Sequence, residues 1–163
     1  MTHNPDITHT HGKRVTAITT ATHPLDPLTG EEIDAARALL ASAGHFTEHT
    51  RVPRMLLVDA PKEVVSKWQP GDALDRRVKV TLLDLDSART REAVVSVTRG
   101  EIDELHELTP ESEPFGQAQF MFEEYGLVEN IVKSSPEWQN AMKRRGLEEH
   151  MELAFCNPLA PGF

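Results

Sequence analysis

The chain has 163 residues, 39% of them apolar, with 26 acidic and 17 basic side chains and a formal charge of −9. That length suits one ordinary domain or two small ones; the acidic balance argues against nucleic acid as a partner, and no apolar run approaches the roughly 18 residues of a membrane span. Cys156 is the sole cysteine, which excludes an internal disulfide and a cysteine-built zinc or iron–sulfur site, and without an apolar leader the expected location is cytoplasmic.

Residues 1–22, rich in Thr and His and without helical periodicity, read as a disordered tail. Structure is expected to begin at HPLDPLTGEEIDAARALL, residues 23–40. Thr29 is placed to cap a helix, Glu32 to reach back to its amide, and Leu28 and Ile33 to form a hydrophobic staple. Ile33, Ala36, Leu40 and Ala43 predict the buried stripe, opposed by Glu31, Asp34 and Arg37, and Gly44 the stop. A strand follows over Arg51 to Asp59, then a short helix from Pro61. Val78, Val80 and Leu82 alternate with Arg77, Lys79 and Thr81, and Ala93, Val95 and Val97 share one face of the next strand, after a turn at Asp86-Ser87-Ala88. Arg99-Gly100 predicts a tight hairpin into EIDELHEL.

TPESEP, residues 109–114, reads as a linker. Beyond it, Phe120, Leu127 and Ile131 recur at helical spacing, flanked by Met121, Tyr125, Val128 and Val132. Ser135 and Pro136 open a second helix that carries Lys143, Arg144 and Arg145 in its last turn and stops at Gly146. Met151, Leu153 and Phe155 alternate as a strand would. One strand cannot form a sheet, so the expectation is a second unit left incomplete at Phe163. The fold class is α+β, in two small units of antiparallel sheet with packed helices.

Candidate chemistry is sparse. His45, Glu48 and His49 match the H-x-x-E-H spelling of a zinc hydrolase, but Gly44 has ended the helix that would aim both rings at one ion, which favours a solvated loop. His9 and His11, and the N-terminal Met1-Thr2-His3, offer nitrogen ligands to Cu(II) without a supporting shell. Asp84 and Asp86 bracket a turn, where carboxylates serve hydrogen bonding. Trp68 and Trp138 read as anchors on amphipathic helices, and Cys156 as an ordinary small apolar group. No P-loop, dinucleotide fingerprint or G-x-S-x-G elbow is present.

HPLDPLTGEEIDAARALL and EEYGLVENIVKSSPEWQNAMKRRGLEEHMELAFCNPLAPGF, in that order, resemble the N-terminal part of the copper-containing, topaquinone-dependent primary amine oxidases. The resemblance covers about residues 23–163. It implies an N2-like domain over 23–109 and a truncated N3-like domain over 110–163, both cystatin-like and non-catalytic. In the full-length family copper and topaquinone oxidise primary amines to aldehyde, ammonia and hydrogen peroxide. The quinone arises from the first Tyr of N-Y-[DE]-Y, which Tyr125 in EEYGL does not match, and His9-x-His11 lies upstream of the family's copper ligands. The resemblance therefore assigns no catalytic, cofactor-binding or metal residue here, and implies that the chain alone is inactive. The partner it implies is the catalytic domain of the same or a related amine oxidase; the rival is a second copy of this chain, paired through the Met151–Phe155 strand.

Overall fold

A computed structural model describes residues 21–109, residue 111 and residues 116–159. The chain divides between Ala118 and Gln119 into two compact units.

In the first unit, helix α1 (Gly30–Ser42) is followed by strand β1 (Thr50–Leu57), the single-turn helix α2 (Lys62–Val65) and strands β2 (Arg77–Asp84), β3 (Arg89–Ser96) and β4 (Glu101–Leu108). The four strands form one antiparallel meander in the order β1-β2-β3-β4, in which short turns join β2 to β3 and β3 to β4 while the longer β1–β2 connection carries α2. With α1 laid on one face, the architecture is α+β.

Local chemistry accounts for most boundaries. Thr29 Oγ1 accepts from Glu32 N–H at 3.2 Å, and Thr29 N–H donates to Glu32 Oε2 at 3.0 Å, a complete capping box. At the other end Gly44 adopts φ +79°, and the bonds from Gly44 N–H to Ala41 O and from His45 N–H to Leu40 O close the last turn. Gly100 takes φ +69° in the β3–β4 hairpin. Pro53 lies where the β1–β2 register shifts, on an edge strand, where its missing N–H disturbs the ladder least. The other edge, β4, exposes Glu101, Asp103, Glu104 and Glu107, charges that discourage edge-to-edge pairing.

The core follows the sheet alternation. Val78 pairs with Val95 and Val80 with Ala93, and these four, with Leu82 and Val97, are buried against Ala35, Ala36 and Leu40 of α1. Of the predicted stripe, Ala36 and Leu40 are buried as expected, but its two ends differ. Ala35 and Glu32 are buried, Ile33 is half-buried, and Ala43 is exposed. Positions 32, 36 and 40 fall one helical turn apart, so a carboxylate rather than Ile33 occupies the N-terminal end of the inward stripe.

The second unit holds helices α3 (Phe122–Ser134) and α4 (Pro136–Arg144) and a 3₁₀ segment, Glu148–Leu153. Ser135 caps α4, accepting from Trp138 N–H at 3.4 Å with Pro136 at the first helical position, and Gly146 follows at φ +69°. The strand expected from Met151, Leu153 and Phe155 is not formed: Met151 and Leu153 belong to the 3₁₀ segment and Phe155 to irregular chain. No strand among the described residues of this unit offers a ladder, and the backbone closes local bonds instead, from His150 N–H to Leu147 O and from Ala154 N–H to Met151 O.

Candidate functional site

The most constrained polar cluster of the first unit is built on Arg76, one residue before β2. Its guanidinium, 2% exposed, donates through Nε to Glu32 Oε1 at 2.8 Å and through Nη2 to Oε2 at 3.0 Å. The same group reaches the carbonyls of Pro24 at 3.0 Å, Asp26 at 2.9 Å and Pro27 at 3.1 Å. Glu32 is fully buried, and its Oε2 also holds the helix cap. A buried charge is tolerated only when paired and hydrogen-bonded; here the fork of donors meets a carboxylate and three carbonyls that a proline-stiffened segment presents together.

Asp26 shapes that segment. Its carboxylate accepts from the Thr22 and His23 N–H groups, each at 2.8 Å, and from Thr22 Oγ1 at 3.2 Å. These bonds, the Thr22 amide foremost, hold its carboxyl below the ordinary value. The Arg76 backbone is tied to the end of β3, its N–H donating to Thr98 Oγ1 at 2.9 Å and its carbonyl accepting from Val97 N–H at 3.0 Å. With these donors and acceptors engaged inside the chain, the cluster fastens the lead-in to α1 onto the sheet and leaves little capacity for a ligand. Beside it lies a groove of about 220 Å³, walled by Pro24, Leu57, Pro61, Val64 and Leu74, with Asp75 and Arg77 among its polar lining.

The other candidates stand apart. His45 and His49 lie in the loop between α1 and β1. His45 Nδ1 is 3.3 Å from Arg91 Nη1, whereas His49 faces Glu48 through Nε2 at 3.3 Å and Asp86 through Nδ1 at 3.8 Å. Among the described residues no group of three or more His, Cys, Asp or Glu is placed to hold a metal ion. His3, His9 and His11 lie outside the described residues. Asp84 Oδ1 accepts from Asp86 N–H at 2.9 Å and Ser87 N–H at 3.2 Å, a turn-forming role, and its carboxyl is held low chiefly by the Ser87 amide. Trp68 packs edge-on against His23, ring centroids 5.1 Å apart, with its indole Nε1 buried and without a hydrogen-bond partner among the described residues. Trp138 and Cys156 are half-buried.

Arg76 is the residue that motif reasoning passes over. A signal for it exists: it shares the parity of Val78, Val80 and Leu82, so extending the inward alternation one step back places it on the helix side of the sheet.

The second unit carries its apolar groups outward. Phe122 is 89% exposed, Ile131 60% and Leu127 58%, and α3, α4 and the 3₁₀ segment contain no buried residue. Tyr125 belongs to this surface, its ring 6.2 Å from that of Phe120 and 6.5 Å from that of Phe122. Large exposed apolar patches are typical of sites that meet a protein, a membrane or a ligand.

Residues 29–105, from the cap of α1 into β4, match the AGAO-like N2 domain family. The chain is 36% identical over 127 residues to a histamine oxidase of Arthrobacter globiformis, an alignment covering 78% of this chain and 18% of that protein. It is 30% identical over 147 residues to a primary amine oxidase of Arthrobacter sp. (strain P1), covering 90% of this chain and 22% of the relative. Against the peroxisomal N-methylputrescine oxidase 1 of Nicotiana tabacum the identity is 27% over 200 residues, covering 99% and 24%. The chain thus spans about a fifth of the length of these curated relatives. The domain match and the agreement along most of the sequence place this chain in the copper amine oxidase family, where it corresponds to the N-terminal domains.

Proposed function

We propose that the chain is the N-terminal structural region of a copper amine oxidase and takes no catalytic part by itself. The match of residues 29–105 to an N2 domain carries this reading. The arrangement of the first unit supports it, because its strongest polar cluster, Glu32 with Arg76, is spent on internal bonds. In this reading the full-length enzyme oxidises a primary amine to an aldehyde with release of ammonia and hydrogen peroxide, and it works in the cytoplasm.

Copper and a quinone derived from tyrosine would supply that chemistry, and the described residues do not fit either group. Tyr125 stands between Glu124 and Gly126 on an exposed aromatic surface, outside any N-Y-[DE]-Y motif. No metal-holding group is assembled among the described residues.

The exposed apolar side chains of α3 support the catalytic part of an amine oxidase as the partner. The experiment is direct. The purified chain, loaded with Cu(II) and dialysed, is expected to show no quinone absorbance and no peroxide release from primary amines; sustained turnover overturns the proposal. Mixed with an amine oxidase from which the matching segment has been deleted, it is expected to elute as a complex. Failure to associate would overturn this choice of partner, and a stable homodimer by light scattering would point to a second copy as the occupant.

A further inference from the structure

We draw no further inference here: the strongest candidate, the groove of about 220 Å³ between Pro24, Pro61 and Leu74, is bordered by charged side chains already engaged within the chain, and nothing in the structure shows what would fill it.

Discussion

Arg76 and Glu32, 44 residues apart in sequence, meet through two hydrogen bonds of 2.8 and 3.0 Å in the interior of the first unit, joining the first turn of α1 to the residue that precedes β2. The pair also explains the two prolines of the lead-in. Pro24 and Pro27 have no N–H to satisfy, and their carbonyls converge on the same guanidinium.

Removing one partner is expected to cost more than removing both. Arg76→Met leaves a buried carboxylate and three carbonyls without their donor, and a loss of about 3–5 kcal/mol is expected. The double variant Glu32→Met with Arg76→Met is expected to lose much less than the sum of the single changes, because no charge is then stranded. Urea unfolding of the four proteins measures the coupling. Additive losses would show that the two side chains do not depend on each other.

The inward face of α1 makes a second prediction. Leu40 is fully buried between α1 and the sheet, while Ile33 is only half-buried. Leu40→Ala is expected to cost about 2–5 kcal/mol through lost burial and the cavity left behind. Ile33→Ala, which would cost about as much if the predicted stripe held, should cost clearly less. Thermal and urea unfolding rank the two.

Ala88 turns the chain between β2 and β3 with φ +53°. A β-carbon in the left-handed region costs about 1–2 kcal/mol relative to glycine's freedom there, partly offset by the entropy that glycine loses on folding. Ala88→Gly is therefore expected to stabilise the protein by about 0.5–1 kcal/mol. A rise in Tm would confirm it, and a fall would show that the turn tolerates the alanine without strain.

Acid sensitivity follows from Asp26 and Asp84, whose carboxyls backbone amides hold below the ordinary value of 3.8. A folded value below the unfolded one contributes stability that is present above pH 3.8 and is lost as pH falls through the folded value. Unfolding midpoints are expected to be flat near neutrality and to drop below about pH 4. Asp84→Asn should narrow the gap between midpoints measured at pH 6 and pH 3. An unchanged gap would remove Asp84 from the account.

Much of the first unit was legible because its signals are local. Thr29 and Glu32 lie three residues apart, the alternation of Val78, Val80 and Leu82 needs only the pleat of one strand, and Gly100 marks its own turn. The site was less legible for the same reason. Glu32 was visible as a capping residue, but its second role needs Arg76, and nothing near either residue names the other.

Met151, Leu153 and Phe155 show the converse case. Their alternation is real, but a strand exists only where another strand supplies its hydrogen bonds, and the described residues of the second unit supply none.

By itself, then, the sequence determined where α1 and α4 are capped, which residues alternate in the sheet, and to which family's N-terminal region the chain corresponds. Tertiary structure alone decided that Glu32 and Ala35 join Ala36 and Leu40 on the inward face of α1, that two opposite charges share the core, and that Met151 and Leu153 lie in a 3₁₀ segment and not in a strand. Caps, turns and pleats are set by neighbours a few residues away. Burial of a charge and formation of a ladder depend on partners that only the folded chain brings within reach.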